Sequence, residues 1–426
     1  MDYSNFYLRE EDVFGTSMET LLHATQVIDE NTTVVKLDYA DCSIMTYNQQ
    51  KGGVLFLNKS EIGKQLKKVR LAHSHIPDPL AYMVPEAIPL ALSDLSRHKA
   101  LCLAKEMIDN PTEHGTAFYF GEGTPKESLA FVSPIAAKTM GQRLPLPTKD
   151  SSMERNLYIA KAIDDMNTSI PLYSVLRSTG SGPYKKLIAV FAKNPKRLDL
   201  TKSVSLLQEF GCNTIYWKFS QRSGLYALFN CPMLHTKIHI SELQHYKTFV
   251  GIQICDSGHV SNKVFIGLYD PNNPSQSHFV IAEESIPDFD GDDKEAITNE
   301  LRDFLTNTFT QFMVKRSQCL DLIESWHKQK VNSVSLENFI SASKDYLSSL
   351  KVTSVKAKNN FAKYCSGNYS KMGKGVSQYT FFFLLISALA GGYITTPIGE
   401  QDELDTIKKD KNVEIQIRTR SILSLF

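Results

Sequence analysis

The sequence predicts an α+β protein with a central, mostly antiparallel sheet, flanking helices and a helical C-terminal part. Three observations carry this. The middle of the chain is a series of short β-branched and aromatic runs separated by turn residues, the apolar spacing changes to a period of 3.6 after residue 294, and 426 residues at 42% apolar content can bury a large core.

Taken in order, residues 33–37 and 54–57 are short strand-like runs with a Gln-Gln-Lys-Gly-Gly turn between them. Residues 58–71 read as a helix with Ile62, Leu66 and Val69 on one face, ended by Ile76-Pro-Asp-Pro79. Residues 92–108 read as a second helix. Glycine and proline then become dense between Gly115 and Pro147, which predicts hairpins and a surface connection, and residues 153–166 read as a joining helix. Seven strands are expected at 172–176, 186–191, 214–219, 225–229, 249–254, 264–268 and 278–281, interrupted by a helix at 203–210 that Gly211 ends. A long helix begins at Lys294, with the acids of residues 288–293 at its start, and further helices are expected at 336–350, 352–364 and 377–390. This divides the chain into a mixed part (1–150), a β-rich part (151–290) and a helical part (291–426).

The chain has 47 basic and 46 acidic residues, so attraction to a polyanion must come from local patches rather than from the overall field. Seven scattered cysteines without a C-x-x-C pair suit free thiols in a reducing cytoplasm, and the N-terminus has no basic, apolar signal pattern. The apolar run 381–393 is shorter than the ~20 residues a membrane span requires, and is expected to be a buried helix.

The largest patch lies in the C-terminal third. Lys344, Lys351, Lys356, Lys358, Lys363, Lys371 and Lys374 face one acid, Asp345, within 31 residues, and Tyr346, Phe361, Tyr364 and Tyr369 are interleaved. Concentrated ammonium groups beside flat π-faces suit a polyanion whose bases stack, single-stranded DNA or RNA above all. A second stretch, residues 184–197, contributes Lys185, Lys186, Lys193, Lys196 and Arg197 without an acid, next to Trp217 on a neighbouring strand. These residues form the candidate nucleic-acid surface: lysines and arginine for phosphates, Trp217, Tyr364 and Tyr369 for stacking.

Motifs for chemistry are incomplete. Residues 288–293 lack the glycine and glutamate positions of a calcium loop. His235 and His239 are four apart, but Thr236 stands where a zinc protease has its glutamate, and Cys255 with His259 meets no accepted ligand spacing. Asp256-Ser-Gly-His259 places triad residue types side by side in a turn, without a nucleophile elbow. Residues 178–186 hold glycine and lysine without the phosphate-loop pattern. No catalytic residue, metal site or cofactor is therefore assigned; as an enzyme, Asp256, His259 and the 288–293 acids would be the only candidates.

Three segments in order, Ile76-Pro-Asp-Pro-Leu-Ala-Tyr82, residues 187–199 (Leu-Ile-Ala-Val-Phe-Ala-Lys-Asn-Pro-Lys-Arg-Leu-Asp) and Gly251-Ile-Gln-Ile-Cys-Asp-Ser-Gly258, resemble elements of the uncharacterised phage/plasmid-like protein family. Lys193-Asn194 departs from that family's S-x-x-Y, and Cys255-Asp-Ser-Gly258 from its N-S-containing turn. The resemblance implies a mobile-element setting and transfers no catalytic residue. Together these readings predict a cytoplasmic, non-catalytic nucleic-acid-binding protein that does not enter membranes and can form homo-oligomers. The alternative is a phage structural or host-interaction protein whose basic face meets an acidic protein or a neighbouring subunit.

Overall fold

The computed structural model describes residues 13–39, 43–48, 53–57, 116–119, 129–143, 168–178, 185–195, 197–220, 224–234, 238–239, 243–258, 260–272, 274, 278–289, 294–329, 333–349, 355–371 and 377–390. Within them the fold is α+β, with two sheets and seven α-helices. The helices expected at 58–71, 92–108 and 153–166 lie outside the described residues.

The first sheet joins β1 (Val13–Gly15), β9 (Asn213–Ser220), β10 (Gly224–Asn230), β11 (Lys247–Ile254), β12 (Lys263–Tyr269) and β13 (His278–Ser285), in that spatial order and antiparallel throughout. Alternation along these strands separates two faces. Trp217, Phe219, Ala227, Phe229, Val250, Ile252, Val264, Ile266 and Leu268 point into the main core, whereas Tyr216, Tyr226, Leu228, Phe249, Phe265 and Tyr269 form a second buried cluster. On that second face Tyr226 stacks on Phe265 at 5.3 Å, and Phe249 meets Phe265 edge-on at 6.0 Å.

The helix-covered face carries α1 (Met18–Glu30), α3 (Leu200–Glu209) and α4 (Lys294–His327). Ser17 caps α1 by accepting from Thr20 N, and Asp199 caps α3 by accepting from Lys202 N. Helix α4 has 34 residues, about 50 Å at the usual rise, and buries Leu301, Leu305, Phe309, Phe312, Arg316, Cys319, Ile323 and Trp326 at three- and four-residue steps. Gly15 has a steric role, since a Cβ there would lie 2.7 Å from the Trp217 indole. The absent side chain is what allows β1 to lie over that ring.

The second sheet has the order β2 (Thr32–Asp38), β7 (Pro171–Ser178), β8 (Lys185–Phe191), β6 (Leu129–Val132), β5 (Thr116–Tyr119), β3 (Ser43–Asn48), β4 (Gly53–Leu57). All pairs are antiparallel except β6 with β8, and α2 (Pro134–Arg143) lies in the connection that follows β6. Ser133 accepts from Ala136 N and Pro134 opens the helix, so α2 stands where glycine and proline density had predicted hairpins and a surface connection. Both sheets draw strands from either side of residue 150. Strands β7 and β8 pair with β2 and β6, and β1 pairs with β9.

Helices α5 (Leu336–Ser349), α6 (Val355–Asn368) and α7 (Gln378–Ala390) enclose a smaller core of Phe339, Leu347, Phe361, Cys365, Phe381, Leu384 and Ala388. The apolar run of α7 is buried in this core and against Trp326 through Phe382, and no helix among the described residues is long and apolar enough to cross a membrane.

Candidate nucleic-acid interface

The C-terminal helices position the principal basic cluster. Lys344 is half-buried on α5, Lys358 is half-buried and Lys363 exposed on α6, and Lys371 is exposed just beyond it. Among the described residues none of these four has a carboxylate within ion-pairing distance. Lys351 and Lys374 lie outside the described residues, and for Lys356 only the backbone is described. The helical repeat separates the members of α6: Lys358 is two residues from Asn360 and three from Phe361, close to the side that carries buried Phe361, Ala362 and Cys365, while Lys363 projects from the other side. Lys358 and Lys363 therefore lie on different sides of α6.

The interleaved aromatics are mostly structural. Phe361 is fully buried, and Tyr346 is wedged 5.6 Å from Phe381 and 6.5 Å from Phe361, where burial pushes its phenol well above the usual range. Tyr369 packs edge-on against Phe339 at 5.3 Å and donates its hydroxyl to Val334 O. Tyr364 is half-buried and packed against the same core. Their spacing matches a base-stacking surface, but it equally matches the apolar stripe that three short helices need, and in Tyr346 and Phe361 the core claims the ring.

The second basic stretch changes meaning more. Trp217 has no exposed surface; its indole is enclosed in the main core and its Nε1 donates to Thr20 Oγ1 at 3.3 Å. It cannot stack on a base without unfolding its sheet. Lys186 is 5% exposed on β8 and is likewise not a phosphate ligand at a surface. Lys185 is half-buried, Lys193 is exposed, and Lys196 lies outside the described residues. Arg197 turns inward, with Nη2 bonded to Asp29 Oδ1 at 2.7 Å, Nη1 to Thr32 O at 3.3 Å, and Nε 3.5 Å from Asp256 Oδ2.

Arg197 belongs to a charge network at the junction of the two sheets. Arg177 on β7 is fully buried and donates through Nη2 to Asp256 Oδ2, through Nε to Thr32 Oγ1 at 2.9 Å, and lies 5.2 Å over the Phe219 ring. Asp256 sits in the turn between β11 and β12. Burial on its own would raise the Asp256 carboxyl, but the charges of Arg177 and Arg197 and the bond from Arg177 hold it below the usual carboxylate range. Asp29 is pushed up, by burial first, although it accepts from Thr201 N at 2.8 Å and from Thr201 Oγ1 at 2.9 Å. Gly258 completes the turn at φ +64°, and a Cβ on it would lie 2.7 Å from the Phe191 ring of the other sheet.

This disposes of Asp256 as a catalytic acid or base in the folded state: two guanidiniums engage it and solvent scarcely reaches it. Ser257 is buried against Cys255, Oγ to Sγ 2.9 Å. His235, His259 and residues 290–293 lie outside the described residues, and among the described residues no three histidine, cysteine or acidic side chains converge on a metal-sized site.

No family model, curated protein or solved structure matches this chain. The functional reading therefore stands on its own residues. Arg177 escaped the sequence reading because a lone arginine in a strand carries no signal until the partner strand and turn are known.

Proposed function

We propose that this chain is a non-catalytic nucleic-acid-binding protein of a phage or plasmid, acting in the cytoplasm and holding single strands chiefly through lysines of its C-terminal helices. The observation that carries the reading is the set Lys344, Lys358, Lys363 and Lys371, which lies on and beside α5 and α6 without carboxylate partners among the described residues. Ammonium groups left unneutralised on a small helical bundle create a local positive potential in a chain whose net charge is only +1. Phosphodiester backbone is the matching ligand, and displacement of its counterions is the driving force. The burial of Trp217, Phe361 and Tyr346 shifts the emphasis from base stacking to phosphate contact, so recognition is tolerant of sequence. The mobile-element setting rests on the three resembling segments described above.

Fluorescence anisotropy of labelled single-stranded DNA, single-stranded RNA and duplex, each at low and high salt, tests this. Binding of single strands that weakens with salt and is lost in Lys363→Glu/Lys371→Glu supports it. Binding insensitive to that double variant sinks it, and nuclease-resistant self-assembly with no oligonucleotide binding establishes the structural-protein alternative.

A further inference from the structure

Cys212 and Cys231 lie far apart in sequence and are brought together by the β9–β10 hairpin. The register pairs Phe229 with Thr214 and Asn230 with Asn213, so the next pair in the antiparallel ladder is Cys231 opposite Cys212. Directly opposed residues in such a ladder have Cβ atoms about 4.5–5.5 Å apart on one face, and a disulfide accepts Cα separations of about 4.4–6.8 Å. Both thiols are free and buried in the main core.

The two cysteines differ in surroundings. Cys231 precedes the 3₁₀ turn Pro232–Leu234, whose Leu234 N donates to Cys231 O at 3.0 Å. The interaction with the Cys212 thiol comes first in bringing the Cys231 thiol down to about 7, whereas the same interaction and burial push Cys212 up. Cys231 is thus the more acidic of the two thiols. Met233, two residues on, is 60% exposed, so this turn is at the molecular surface even though both sulfurs are not. Cys255, Cys319 and Cys365 have no such arrangement; each is buried and raised above the usual thiol range, chiefly by desolvation.

We propose that Cys212 and Cys231 are a redox-active dithiol that closes reversibly to a disulfide in the folded protein, with a low-molecular-weight disulfide as the oxidant. When the exposed Pro232–Leu234 turn opens locally, Cys231 thiolate attacks one sulfur of the oxidant, forming a mixed disulfide and releasing one thiol. Cys212 then gives up its proton and attacks Cys231 Sγ, forming the intramolecular bond and expelling the second thiol. One oxidant disulfide becomes two thiols, and the protein dithiol loses two electrons and two protons. The product ties the start of β9 to the end of β10 and so fixes the turn with Met233 against the hairpin. This inference is independent of nucleic-acid binding.

The test treats the folded, full-length protein with glutathione disulfide, blocks residual thiols with iodoacetamide and maps the peptides without reduction. The expected result is a peptide pair joined through Cys212 and Cys231, lighter by two hydrogen atoms and separated again by dithiothreitol. Cys212→Ser is expected to stop at a glutathione adduct on Cys231, while Cys255→Ser and Cys365→Ser retain the cross-link. Recovery of Cys212 and Cys231 both alkylated after oxidation, or cross-links formed by other cysteine pairs in their place, overturns the proposal. The wild-type peptide map decides this even where the Cys212 variant does not fold.

Discussion

Replacing Asp256 with asparagine removes a charge without changing shape, at the point where the two sheets meet. In the wild type, Arg177 is buried and its Nη2 donates to Asp256, while its Nη1 is a buried nitrogen without a hydrogen-bond partner. After substitution an amide oxygen can still accept from Arg177, beside the Thr32 Oγ1 bond and the Phe219 ring, but the guanidinium's positive charge has no counter-ion, because Asp29 is engaged by Arg197. Breaking one partner of a buried pair costs about 3–5 kcal/mol, a large share of the ~5–15 kcal/mol that holds a protein folded. Urea unfolding followed by the emission of Trp217 and Trp326, both in the main core, measures it. Circular dichroism must give the same transition for the conversion to free energy to hold. Adding Arg177→Met should recover most of the loss, since the orphan charge is then gone; a coupling of about 2 kcal/mol or more is expected. A loss below about 0.5 kcal/mol, or additivity of the two substitutions, would refute the assignment of this network as the sheet-to-sheet tie.

Other outcomes follow from the same geometry. The Asp256 carboxyl is lowered in the folded state, so its stabilisation is complete above the ordinary aspartate range of about 4 and is lost as pH falls through the lower folded value; Asp256→Asn should flatten the acid limb of a stability–pH curve. Asp29 has the opposite sign: its raised folded value makes its ionisation unfavourable to folding at neutral pH and is relieved on acidification. Gly258→Ala forces a left-handed backbone on alanine and a Cβ towards Phe191, with an expected loss of about 1–3 kcal/mol measured by thermal unfolding. Trp217→Phe should lower stability yet leave single-strand affinity unchanged, and oligonucleotide binding should not quench tryptophan emission, because both tryptophans are buried. Quenching on binding would restore Trp217 as a stacking residue.

The fold was legible where one period dominated. All seven strands expected between residues 172 and 281 form, and the four C-terminal helices start within a few residues of their predicted positions, because β-branched alternation and three-to-four spacing are unambiguous there. Helix α1 was readable in principle from Ser17 and the spacing of Leu21, Ala24 and Ile28, and α2 from Ser133-Pro134, where Gly and Pro density nearby outweighed the signal. The site was less legible. Charge counts along the chain give no sign of which side chains face the core: Trp217 and Lys186 alternate inward, and Arg197 is recruited by Asp29 across 168 positions. The Cys212–Cys231 pair needs the hairpin register, which no local pattern supplies.

Salt dependence of single-strand binding is the most direct measure of whether these helices contact phosphates. Four lysines releasing counterions from single-stranded nucleic acid give a slope of log K against log salt of about −3, so affinity should fall about 50-fold between roughly 50 and 200 mM salt. Lys363→Glu/Lys371→Glu should reduce the slope by about half or more. A slope near zero in the wild type, or the same steep slope in the double variant, would contradict the account.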